Sequence, residues 1–142
     1  MKTLILTTAL IMSIQSNVFS QEKTENKAIR EVIHEFSNAS AQYNYKALDL
    51  ILDNQFRLIM NQLFGSDQLN VMNKTVYLEK IKNKEFGGEE RKVEILTVQI
   101  NNNNATAHVK FVGATIRFSS YLQLVKNKNK EWRIINDLPT LY

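Results

Sequence analysis

The sequence predicts an α+β domain: helices in the first half, then a bent antiparallel sheet that closes over them. Two observations predict this. Apolar residues recur at three- and four-residue steps before Gly88 and alternate after it. The alternating half is cut into short runs by polar turns, the pattern of a meander. At 142 residues, 44% hydrophobic and 23% charged, the chain has the balance of one folded domain with a short appendage.

The appendage comes first. Lys2 is the only charged side chain before Glu22, and Leu4, Ile5, Leu6, Ala9, Leu10, Ile11, Met12 and Ile14 make an apolar run too short to span a bilayer as a helix. With Val18 and Ser20 ahead of Gln21, residues 1–20 are expected to be an export signal cut after Ser20. Residues 21–142 are then the mature domain, secreted or periplasmic, with no stable membrane anchor. The absence of cysteine excludes a disulfide framework, a thiolate metal site and a catalytic thiol. A formal charge of +4 does not call for nucleic acid. The basic run Lys126-Asn127-Lys128-Asn129-Lys130 has no interleaved aromatics and reads as a solvated hairpin tip.

Ala28, Ile29, Val32, Ile33, Phe36, Ala39 and Tyr43 form one stripe of a helix over residues 25–44, with His34 just off it. A short helix is expected over 45–52, with Leu48, Ile51 and Leu52 inward, and a strand around Phe56, Leu58 and Met60. Residues 61–72 have no clear period and predict no element. Asn73 can cap a third helix carrying Tyr77, Leu78 and Ile81, which stops at Gly87-Gly88. Four strands follow, over 91–100, 105–112, 115–125 and 131–138. In the first of them the apolar face passes from Val93 and Ile95 to Leu96, Val98 and Ile100, the phase slip that a bulge produces.

This layout resembles the NTF2-like (cystatin-like) superfamily of cone-shaped α+β domains, and within it the SnoaL-like and "putative lumazine-binding" group of secreted bacterial proteins. The resemblance is carried by Lys27-Ala28-Ile29-Arg30-Glu31-Val32-Ile33 with Tyr43 to Leu48 behind it, by Val76-Tyr77-Leu78-Glu79-Lys80-Ile81, and by Ser120-Tyr121-Leu122-Gln123-Leu124-Val125-Lys126 with Glu131-Trp132-Arg133-Ile134-Ile135-Asn136. Where that group commonly has an acid before the Tyr-Leu pair, this chain has Ser120. The resemblance implies N-terminal helices packed in the concave face of a curved sheet, and a homodimer.

Strand parity then divides the sheet. Ala107, Val109, Phe111, Phe118, Ser120, Leu122, Leu124, Trp132 and Ile134 fall on the face expected to meet the helices. His108, Lys110, Arg117, Tyr121, Gln123, Arg133, Ile135 and Asp137 fall on the other, expected to be the wet or dimer-forming side. Phe111 and Trp132 are of the right type to stack a flat ring, though inward aromatics also serve as plain core. The expected ligand-binding set is Phe36, Tyr43, Phe111, Leu122 and Trp132. His108, Arg117, Tyr121 and Asp137 could be taken for an acid–base cluster, but mixed charge on one sheet face is ordinarily the solvated side. No catalytic residue is therefore assigned. No metal-spaced cluster, phosphate loop or cofactor motif occurs, and no metal or cofactor is expected. The expected function is an exported domain binding a small hydrophobic or aromatic molecule. A cyclase-, isomerase- or dehydratase-type enzyme and a homodimeric interaction module are the alternatives.

Overall fold

The computed structural model describes the backbone from Ile5 to Tyr142 and the side chains from Ser20 onward. The expected signal, residues 1–20, thus lies outside the described side chains, Ser20 excepted. In chain order the elements are α1 (Ile5–Ala41), α2 (Tyr45–Ile51), β1 (Leu52–Asn61), β2 (Leu69–Asn73), α3 (Lys74–Lys82), β3 (Lys92–Asn101), β4 (Asn104–Val112), β5 (Arg117–Lys126) and β6 (Trp132–Leu141). Among the described residues no helix is long and apolar enough to cross a membrane.

The strands form one curved sheet in the order β2-β1-β6-β5-β4-β3. All neighbours are antiparallel except β1 and β6, which run parallel and join the early strand to the end of the chain. The stripe read from the sequence faces the sheet: Ile29, Ile33, Phe36 and Ala39 of α1 are buried, and His34 is exposed. They meet Ala107, Val109, Leu122, Leu124 and Ile134, all at most 1% exposed. Each fully buried Val, Leu or Ile among them contributes roughly 1.5–3 kcal/mol of transfer free energy, so the helix–sheet seam stabilises the domain strongly.

Five local expectations are corrected by the structure. The first helix ends at Ala41 rather than near Asn44, because Tyr43 takes a left-handed φ of 56° and turns the chain. The third helix ends at Lys82 rather than at Gly87-Gly88. Its open Lys80 carbonyl is taken by the N–H groups of Glu85 and Phe86, which folds Phe86 back against Tyr77. Residues 69–73 form a strand, β2, pairing with Arg57–Asn61 of β1. The phase slip in β3 is a bulge between Ile95 and Thr97, but Leu96 is the extra residue and points outward, 47% exposed.

The fifth correction bears on function. A second bulge lies in β6: Gln123 pairs with Asn136 and Leu124 with Ile134, so Ile135 has no partner. A one-residue insertion exchanges the two faces of a strand. Asp137, read above as an outer-face residue, is thereby turned inward and is 7% exposed.

Candidate functional site

The helices do not fill the hollow completely. A cavity of about 350 Å³ remains between α1, α3 and the part of the sheet near the β4–β5 turn. Its aromatic wall is Phe36 from α1, Phe64 from the loop after β1, Tyr77 from α3, Phe86 from the loop after α3, Phe111 from β4 and Phe118 from β5. These rings brace one another. Phe36 meets Phe111 edge-on at 6.1 Å and stacks on Tyr77 at 6.3 Å, and Tyr77 meets Phe86 edge-on at 6.4 Å. A pocket of this size, mostly apolar with a few converging polar groups, suits a small organic molecule.

Gly87 and Gly88 shape the rim. Both have φ above +80°, and Gly88 N–H bonds the Ser40 carbonyl at 3.1 Å. A Cβ on Gly87 would stand 2.2 Å from that carbonyl, so only glycine lets this loop lie against α1.

The polar groups have separate surroundings. Asp137 stands opposite Leu122 on β5 and Leu58 on β1, with Ser120 diagonal to it on the same face. Burial pushes its carboxyl up to about 7, with the Ser120 hydroxyl pulling it the other way. Tyr77 is also buried, and burial raises its phenol well above the ordinary value. Its oxygen lies 3.3 Å from Ser40 Oγ. Since the Ser40 hydroxyl donates to the Phe36 carbonyl at 2.7 Å, the Tyr77 hydroxyl is the donor to Ser40. Arg91 reaches in over the Phe118 ring, 5.2 Å from its centroid. Glu89 touches Arg91 Nη2 only at 3.5 Å. The Glu89 carboxylate is committed elsewhere: it accepts the backbone N–H groups of Thr115 and Ile116, and the Thr115 bond does most to hold it below the usual carboxylate range.

Of the residues expected to bind a ligand, Phe36 and Phe111 line this cavity. Leu122 is buried in the core beside Asp137. Trp132 is buried at the far end of the sheet, opposite Lys126, where its Nε1–H donates to Glu25 at 2.6 Å. Tyr43 lies past the end of α1 with its hydroxyl against Gly88 and Lys84 over its ring, outside the cavity wall. The supposed acid–base cluster is split by the sheet. His108 stacks on Tyr121 at 4.4 Å and bonds Ser119 on the outer face, and Arg117 is exposed, while Asp137 faces in. Sequence reasoning passed over Arg91, Tyr77 and Phe86 as functional residues. It could have found Asp137, because the adjacent pair Ile134-Ile135 is the same kind of phase slip as Ile95-Leu96. Among the described residues no group of three His, Asp or Glu side chains is placed to hold a metal.

The fold is shared with several solved structures. An NTF2-like protein of unknown function from Silicibacter pomeroyi superposes with a TM-score of 0.74 at 15% identity, covering 85% of this chain and 98% of that one. One from Shewanella baltica gives 0.72 at 17% identity, covering 84% and 94%. One from Methylobacillus flagellatus gives 0.68 at 20% identity, covering 84% and 93%. No curated protein matches the chain. Residues 24–138 match the family model described as "Putative lumazine-binding", a match that takes in every element from the domain part of α1 to most of β6. The chain therefore belongs to that family and has the NTF2-like fold.

Proposed function

We propose that this domain, exported after loss of residues 1–20, binds a small planar molecule in the cavity between α1, α3 and the sheet. The observation that carries the reading is the cavity itself: about 350 Å³ of space walled by mutually braced aromatic rings in a domain whose seam is otherwise tightly packed. The family's description names lumazine, a flat bicyclic ring of compatible size, and that ring is the natural first probe. Calorimetric titration of the purified domain with lumazine is expected to show saturable one-to-one binding. A melting temperature that rises with probe concentration should accompany it, by about 2.7 kcal/mol of stabilisation at a hundredfold excess over Kd. Met60→Trp, which puts an indole into the space from the β1 wall, is expected to abolish binding while the fold persists. Flat titrations with lumazine and with other planar bicycles would remove the reading. Residues 1–20 found intact on native material by mass spectrometry would remove the export clause.

Asp137 favours a second reading, an enzyme of the isomerase or dehydratase type. A carboxyl in an apolar cavity with its pKa near 7 can take up a proton and return it at neutral pH. An enolisable planar ketone such as 2-tetralone, incubated in heavy water, should then exchange its α-hydrogens with the wild type and His108→Gln but not with Asp137→Asn. Equal exchange by all three would dismiss this reading.

A further inference from the structure

Among the described residues, only two buried side-chain atoms have no protein hydrogen-bond partner: Arg91 Nε and Asp137 Oδ1. Both side chains belong to the wall of the aromatic cavity. Native folds rarely leave such atoms unanswered, so their occurrence together points to a function.

The neighbours explain why no protein group answers them. Glu89, the acid nearest Arg91, has its oxygens on the Thr115 and Ile116 amides and reaches only Nη2, at 3.5 Å. Beside Asp137 stand Leu58 and Leu122, with Ser120 diagonal to it. The Tyr77 hydroxyl is already spent on Ser40. The two side chains reach the cavity at different places along β5. Arg91 sits over Phe118, whereas Asp137 pairs with Leu122, four residues farther along β5, where the backbone has advanced roughly 13 Å. Phe111 of β4, opposite Phe118, and Phe36, edge-on to Phe111, stand at the Arg91 end. The cavity wall thus offers an unanswered donor beside the aromatic cluster and an unanswered acceptor farther along the sheet.

Resting on the binding reading above, we infer that the ligand is a flat, elongated ring system recognised at both ends. An acceptor oxygen, best a carboxylate, meets Arg91 Nε, and an O–H or N–H donor at the opposite end meets Asp137 Oδ1. Arginine stays charged at any physiological pH and carries only donors, which is why the oxygen at its end is an acceptor and favours negative charge. An ionised carboxylate only accepts, and a carboxyl that carries its proton on Oδ2 still accepts at Oδ1, so a ligand donor can be met in both states of Asp137.

Three naphthalenes separate the two ends: 6-hydroxy-2-naphthoic acid carries both groups, 2-naphthoic acid only the acceptor, and 2-naphthol only the donor. By calorimetry the two-ended probe is expected to bind the wild type roughly tenfold more tightly than either one-ended probe, the worth of one hydrogen bond to a charged or buried partner. Arg91→Met should erase its advantage over 2-naphthol, and Asp137→Leu its advantage over 2-naphthoic acid, with melting curves confirming that both variants are folded. Equal binding of all three by the wild type, or a tenfold preference that survives both substitutions, overturns the two-ended assignment and leaves ring binding standing. Failure of all three to bind the wild type overturns ring binding and this inference together.

Discussion

Asp137→Asn is expected to stabilise the domain at neutral and alkaline pH and to leave acid stability nearly unchanged. The carboxyl has an ordinary value of 3.8 in the unfolded chain and is pushed up to about 7 by burial in the fold. Below about pH 4 it is protonated in both states and burial of its charge costs nothing. As the pH rises above 3.8, the unfolded chain loses this proton first while the native state keeps it. The unfolded state then binds fewer protons, so stability falls with rising pH. The loss continues until the native carboxyl itself ionises near pH 7, and is constant above that. A displacement of about three units corresponds to roughly 4 kcal/mol. Asparagine has the same shape and does not titrate. The check is the difference between wild-type and variant unfolding free energies in urea, taken from about pH 4 to pH 8. It should grow in the variant's favour by a few kcal/mol across that range. Glu25, Glu85, Glu89 and Glu131 all have carboxyls held below their ordinary values, and they contribute acid lability equally to both proteins, so the difference isolates Asp137. Parallel curves would mean that the carboxyl is solvated and that the cavity lacks the dry wall assigned to it. The proposed site would explain why so costly a group is kept in an apolar pocket.

The elements that the sequence revealed best are those with an uninterrupted period. Ile29, Ile33 and Phe36 repeat on α1 without a break, and Ala105 to Phe111 alternate without a break on β4, so both faces follow from counting. Reading failed wherever one residue broke the count. Tyr43 leaves its stripe because a left-handed turn precedes α2, and no helical projection can foresee that. Leu96 and Ile135 are each the extra residue of a bulge. The first slip was visible but its outward residue was misjudged, and the second carried Asp137 from the wet face to the cavity. The β2 strand was invisible for another reason. Leu69 and Val71 are 61% and 57% exposed on a sheet edge, so β2 has no buried face to impose an alternation. Arg91 and Phe86 lie in connections, where position is set by caps and turns rather than by periodicity. Their place at the cavity depends on Glu85 and Phe86 closing on Lys80 and on the glycines folding against α1.

Trp132→Ala is expected to cost roughly 3–5 kcal/mol, the usual penalty for deleting a buried large aromatic, and Trp132→Phe appreciably less. The ring is 4% exposed and ties the start of the domain to its last hairpin. Its Nε1–H donates to Glu25 Oε2 at 2.6 Å, Lys126 Nζ pairs with Glu25 Oε1 at 2.7 Å, and the same ammonium lies 5.0 Å from the indole centroid. Lys126 chiefly, with Trp132 helping, holds the Glu25 carboxyl below its ordinary value. A lowered carboxylate stabilises the fold above its unfolded pKa and loses that contribution as pH falls through its native pKa. Trp132→Phe keeps most of the apolar contact but cannot donate. It should therefore lose part of its stability deficit in acid, where Glu25 protonation weakens the tie in the wild type too. Chemical denaturation of the three proteins at neutral and acid pH measures both effects. Ring binding supplies the decisive contrast between this indole and the cavity wall. Trp132 lies opposite Lys126, at the other end of β5 from Phe118, so folded Trp132→Phe should bind planar probes as the wild type does, whereas Met60→Trp should not. If Trp132→Phe lost binding while folded, the ligand would have to reach the hairpin end of the sheet, and the boundary drawn here between packed seam and open cavity would be in the wrong place.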